Sequence, residues 1–229
     1  SPHRRFRRDP GIERIENAPE RHELSGSDPA VGDGRPFFSE PFRDFSNKPA
    51  RETFARAVEA AVVPKIANDA TEADADRAVE TAHAAFPAWR DTPVRDRSAV
   101  LVRAASIMRR RRDELSGIVI RESGKPWREA DGDVCEAIDF LEFYAREAVP
   151  LFEPRRLGRF IGEIDEVLHQ PRGVAVVISP WNFPLAICTG MTAAALVCGN
   201  TCVVKPAEQT PGIAKVMHEI LLEAGCPPE

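Results

Sequence analysis

No stretch of this sequence reaches about 18 consecutive apolar residues, the length a helix needs to cross a bilayer, so no membrane span is expected. The most apolar segment, Pro184 to Val204, is interrupted by Thr189, Gly190, Thr192, Gly199, Asn200 and Thr201, and reads as a buried helix, a turn and a strand. A positive excess is also missing. The formal charge of −5 argues against nucleic acid or an anionic membrane surface as partner, because both demand a positive field. There is no CxxC pair among the five cysteines (Cys135, Cys188, Cys198, Cys202 and Cys226), and an odd number cannot all close into intrachain disulfides. A reducing, cytoplasmic setting without a metal site is the expectation. The glycine fingerprint GxGxxG of many dinucleotide sites is absent too.

What remains is 229 residues at 43% hydrophobic composition, enough for one sizeable core or two small ones. Residues 1–37 mix Arg, Glu, Pro, Gly and Ser with few large apolar groups, and read as a disordered tail or linker. The basic opening His3 to Arg8 reads as part of that tail, since no apolar region follows it. The chain begins with Ser1 and closes on Gly225-Cys226-Pro227-Pro228-Glu229, so both ends are expected to be cut. Residues 38–229 read as one partial domain.

Within it, Ala50 to Val62 carries a helical pattern. Thr71-Glu72-Ala73-Asp74 resembles a capping box opening a helix whose buried face is Ala75, Ala78, Val79, Ala82 and Phe86, with Pro87 and Trp89 ending it. Further helices are expected from Arg95 to Arg110, from Asp113 to Ser123 with Gly124 as stop, and from Trp127 to Ala148 with Val134, Ile138, Leu141 and Ala145 inward. The basic run Arg109 to Arg112 is flanked by Asp113 and Glu114 without interleaved aromatics, and reads as a solvated helix junction. Residues 157–170 lack a helical period, and Phe160 to Leu168 reads as strand material in a projecting hairpin with an acidic turn.

After Arg172 the texture changes. Gly173 to Ile178 is a short β-branched run of the kind found in a parallel strand covered on both faces. A small-residue helix, Leu185 to Cys198, a Gly199-Asn200 turn, a second strand Thr201 to Lys205 and a helix opened by Thr210-Pro211 complete a βαβα unit. The fold class is therefore α/β: a helical N-terminal segment plus the first half of a Rossmann-like parallel sheet.

Ligands of such sheets sit beyond the carboxyl ends of the strands. That singles out Ser179 to Pro184 after the first strand and Lys205 to Glu208 after the second. Glu208 stands about where an acidic residue hydrogen-bonds a ribose diol, and Lys205 suits either those hydroxyls or a 2′-phosphate. Asn182, between Trp181 and Phe183, has an amide suited to a developing oxyanion; a turn asparagine bonded to its own backbone is the competing reading.

Three segments in this order, Ser179-Pro180-Trp181-Asn182-Phe183-Pro184, Gly199-Asn200-Thr201 and Lys205-Pro206-Ala207-Glu208-Gln209-Thr210-Pro211, closely resemble the aldehyde dehydrogenase superfamily. The resemblance runs from about Asn68 to Pro228 and takes in Ala85-Phe86-Pro87-Ala88-Trp89-Arg90. Three more segments, Glu40 to Ser46, Gly124 to Asp131 and Val134 to Phe140, look most like the branch that oxidises L-glutamate γ-semialdehyde to L-glutamate in proline catabolism. In many bacteria that branch is fused behind a proline dehydrogenase, with which a loose N-terminal linker is compatible.

The resemblance implies NAD as cofactor, with NADP open, and a small-molecule aldehyde as substrate. It also implies a homo-oligomer in the full-length enzyme, with the 157–170 hairpin taking part. By motif, Asn182 would be the oxyanion donor and Lys205 and Glu208 would hold the adenosine ribose. Ile178, Ser179, Pro180, Trp181 and Ala207 would line the cofactor cleft, and Glu136 would meet the substrate's α-ammonium group unless it is simply an exposed helix carboxylate. In that family a cysteine thiolate attacks the aldehyde and a glutamate is the general base. No cysteine here occupies the nucleophile's motif, so the chain is expected to be an N-terminal fragment, inactive as written. Near Ala61-Val62-Val63-Pro64 the family carries a strand pair and an Asn-Pro turn that this sequence lacks. Two other readings stand beside this one: a dehydrogenase of another semialdehyde, and a non-catalytic binding or assembly module.

Overall fold

The computed structural model describes residues 37–228. The tail or linker expected over 1–37 therefore lies outside the described residues except for Phe37, whose ring meets Phe143 edge-on at 5.5 Å.

Among the described residues five helices come first: α1 (Lys48–Ala60), α2 (Glu72–Asp91), α3 (Val94–Arg110), α4 (Arg112–Ser123) and α5 (Trp127–Leu151). A two-stranded ribbon of β1 (Arg155–Arg156) and β2 (Glu166–Val167) follows, and then β3 (Val174–Ile178), α6 (Ala186–Val197), β4 (Thr201–Lys205) and α7 (Pro211–Glu223). The core lies between α3 and α5, with α4, α6 and α7 around them. Leu101, Met108, Leu115, Ile138, Leu141, Leu185, Ile213 and Ile220 are all buried there. Each such side chain contributes roughly 1.5–3 kcal/mol by leaving water. Gly124 ends α4 in the left-handed conformation (φ 73°), as its position after Ser123 requires.

Helix α2 departs from expectation at both ends of its pattern. Its capping box forms as read, with Thr71 and Asp74 each accepting the other's backbone N–H. Pro87 does not end it, and the helix continues to Asp91. The proline costs one amide donor, which the burial of Trp89 outweighs: its indole N–H donates to the Leu196 carbonyl at 2.9 Å. The buried face is Ala82 and Trp89, with Ala78, Ala85 and Phe86 half-buried, while Ala75 and Val79 are exposed. The reason is placement. The helix lies against β3 and β4, held where the Thr201 hydroxyl donates to the Ala82 carbonyl, and its first turns overhang that small sheet.

The basic run at the α3–α4 junction is not a solvated one. Arg112 forms a two-pronged pair with Asp131 (2.8 and 2.7 Å), and Arg109 reaches Glu40 at 2.8 Å and Glu142 at 3.3 Å. Glu40 and Asp131 are buried, so the charges must be matched locally, and the guanidiniums are drawn inward to do it. Two acids of α5 strap the N-terminal segment down: the Glu40 N–H donates to Asp139 and the Arg43 N–H to Asp131.

Strands β3 and β4 pair in parallel, Val174 opposite Thr201 through Ile178 opposite Lys205. Val177 is buried, but Val176 and Ile178 are 57% and 67% exposed, so β3 is covered on one face and not on both. A sheet two strands wide, with each strand paired on one edge only, has too little surface here to enclose the second row of side chains. The ribbon is closed lower than the sequence suggests, at Arg155–Arg156 against Glu166–Val167, and it turns through Gly162 (φ 90°). It carries exposed Leu157, Phe160, Ile161, Ile164 and Leu168. No helix among the described residues is long and apolar enough to cross a membrane.

Candidate active site

Parallel pairing sets the two candidate loops side by side. Ile178 is the register partner of Lys205, and one residue further the Ser179 N–H donates to the Lys205 carbonyl at 3.3 Å. The loop after β3 therefore starts where the loop after β4 starts. Ser179 and Ala207 are buried and anchor the two loops. Ile178, Pro180, Trp181, Asn182 and Phe183 stand exposed beyond the strand, as do Lys205 and Glu208 on the other side. Exposed apolar surface beside the exposed Lys205 and Glu208 side chains suits a flat heterocycle and a ribose.

The Asn182 side chain makes no hydrogen bond among the described residues, so the self-bonded turn asparagine is not what this loop holds. The loop is fixed by other groups. Asp133, fully buried on α5, accepts the Ala186 N–H at 2.7 Å and pairs with Lys125 at 2.9 Å. The Lys125 ammonium in turn lies 3.9 Å from the centre of the Phe183 ring. Burial pushes the Asp133 carboxyl up, and the Lys125 ammonium and the Ala186 and Leu185 N–H groups oppose that shift.

Helix N-termini are where a Rossmann site usually holds its pyrophosphate, and here both are already occupied. Asp133 takes the first turn of α6. Glu122 accepts the Gly212 and Ile213 N–H groups of α7 at 2.7 and 2.9 Å, while Pro211 has none to offer. The absence of GxGxxG has its counterpart in these caps: neither helix turns a free amide cluster toward a phosphate.

Glu136 lies one helical turn past Asp133 and is exposed. Its carboxyl is raised by partial burial and by the neighbouring Asp133, against the pull of Lys125. All five cysteines are free thiols, buried or half-buried. Burial raises each of them, Cys135 and Cys202 to about 12 and Cys226 to about 11, with Cys188 and Cys198 moved the same way.

Asp133, Lys125 and Glu122 escape a reading by periodicity. The available signal is an acid lodged beside core positions, as Asp133 is beside Val134 on α5.

The sequence profile of the aldehyde dehydrogenase family matches residues 47–229. A 1-pyrroline-5-carboxylate dehydrogenase of Anoxybacillus flavithermus is 50% identical over 67% of this chain and 30% of its own length. That of Geobacillus thermodenitrificans is 40% identical over 84% of this chain and 44% of its own. Among solved structures, 1-pyrroline-5-carboxylate dehydrogenase from Thermus with bound NAD superposes with a TM-score of 0.79 at 36% identity, covering 85% of this chain and 44% of that one. The chain thus spans less than half the length of these relatives.

Proposed function

The chain belongs to the aldehyde dehydrogenase family, and from that premise we propose that it supplies the oxyanion amide and part of the NAD cleft of an enzyme oxidising L-glutamate γ-semialdehyde to L-glutamate. The observation that carries this reading is the juxtaposition at the strand ends: an unpartnered Asn182 amide on one loop, and Lys205 with Glu208 on the loop bonded to it through Ser179 and Lys205.

In this reading Glu208 and Lys205 hold the ribose hydroxyls, and Ile178 and Trp181 give the apolar surface that keeps water from the reacting face. Bound there, NAD supplies the acceptor for the aldehyde's hydride. Asn182 donates its amide N–H to the carbonyl oxygen as charge gathers on it, an interaction stronger in the transition state than in the ground state. Glu136 faces the substrate's α-ammonium group. In this reading the nucleophilic thiolate and the general base come from outside these residues, since no cysteine here stands in the family's nucleophile motif. Polypeptide 1–229 alone is therefore expected to form no NADH from the semialdehyde. A lysine beside the ribose site also admits a 2′-phosphate, so NADP is the cofactor to compare. The setting proposed is the cytoplasm, where free thiols persist.

A chimera tests this. Residues 37–228 replace the matching part of the Geobacillus thermodenitrificans relative, and NADH formation is followed with L-glutamate γ-semialdehyde. Turnover is expected, with Asn182→Ala lowering kcat by about 10²–10³ and Glu136→Gln raising KM for this substrate without lowering kcat. A folded chimera that prefers another semialdehyde would reassign the substrate. One that binds no NAD would leave only a binding or assembly module.

A further inference from the structure

We propose that Lys125 and Asp133 are positioning residues for Asn182, a two-point clamp that holds the loop in which that amide sits. The inference rests on the reading of Asn182 as an oxyanion donor. Amide donors in such a role must be held to within a fraction of an ångström, yet Trp181, Asn182 and Phe183 are exposed and in no regular element. What fixes them lies on α5 and the turn before it. One arm is the Asp133 carboxylate, whose Oδ1 accepts the Ala186 N–H at 2.7 Å. The other is Lys125, paired to Asp133 Oδ2 at 2.9 Å, with its ammonium 3.9 Å from the Phe183 ring centre. Ala186, the second residue after Pro184, and Phe183, the residue directly after Asn182, are thus tied to one buried ion pair. Upstream, the loop is tied by Ser179 to Lys205. Asn182 lies between the two attachments and makes no hydrogen bond of its own.

The pair is suited to this work rather than to general stability. Lys125 and Asp133 side chains are 11% and 0% exposed, so their attraction is weakly screened and their geometry is narrow. The cation over a ring face adds a directional contact that a hydrocarbon would lack.

The test uses the full 229-residue chain without cofactor. Amide hydrogen exchange is compared for residues 181–187 and for α3 in the wild type and in Lys125→Met, Lys125→Arg and Asp133→Asn. Trp181 emission is isolated by subtraction of Trp181→Phe. Lys125→Met and Asp133→Asn are expected to speed exchange in the loop about tenfold and shift Trp181 to longer wavelength, with α3 unchanged. Lys125→Arg, which keeps charge and ring contact, is expected to restore both signals. Unchanged loop exchange in folded Lys125→Met overturns the proposal. So does an equal acceleration throughout the chain, or an arginine variant that behaves like the methionine one. Should Asp133→Asn fail to fold, the two Lys125 variants decide. Because no NAD or substrate is present, failure here is separate from failure of the chimera.

Discussion

At the scale of single residues, acids inside the helical layer govern more than their number suggests. Asp139 accepts the Glu40 N–H at 2.7 Å, and burial lifts its carboxyl from 3.8 to about 6 despite that bond. The folded state then holds this proton more tightly than the unfolded chain does. Its stabilising contribution is full below pH 3.8 and is lost as the pH rises through about 6. Other carboxyls slope the opposite way: Asp74 is held low by its Thr71 hydroxyl bond and Glu114 by Arg111. A difference between variants isolates the effect. Asp139→Asn is expected to lose less urea stability than wild type between pH 4.5 and pH 7, and parallel curves for the two proteins would refute the assignment. The strand-end positions of Asn182, Lys205 and Glu208 were legible in the sequence, because these residues stand in motifs. Asp133 and Glu122 were not, since an acid in a helical pattern reads as solvent-facing until tertiary structure surrounds it.

At the scale of elements, helix boundaries followed the caps. Thr71 and Asp74 start α2 and Gly124 stops α4 where the residue chemistry puts them. Pro87 misled because a local rule was opposed by a distant contact, the Trp89 bond to Leu196 over a separation of 107 residues. Strand β3 misled in the other direction: its β-branched run does state a parallel strand, but the number of covered faces depends on neighbours that a local pattern does not encode. The start of α7 offers a direct check. Glu122 closes two amides there with charge-assisted bonds, so Glu122→Ala is expected to cost roughly 2 kcal/mol in urea unfolding, with Glu122→Gln recovering part of it. A loss below about 0.5 kcal/mol would mean that water caps the helix equally well.

At the scale of the whole molecule, a closed helical core carries a narrow sheet and an outlying ribbon, both of which leave apolar surface in water. Ile161, 96% exposed, sits with Phe160 and Ile164 near the ribbon's turn. Such a grouping suits an interaction surface, and contact with a second copy of the chain is the expectation to test. Sedimentation is expected to give a species larger than the monomer that Ile161→Asp reduces to monomer; an unchanged distribution would rule the ribbon out.

The central claim concerns the strand ends, and an NAD titration of the 15N-labelled chain reads them directly. Amide shifts are expected to be confined to Ile178 through Phe183 and Lys205 through Glu208, with the Asn182 side-chain amide among them. Saturating NAD that leaves those signals unmoved, or moves signals in α4 instead, would contradict it.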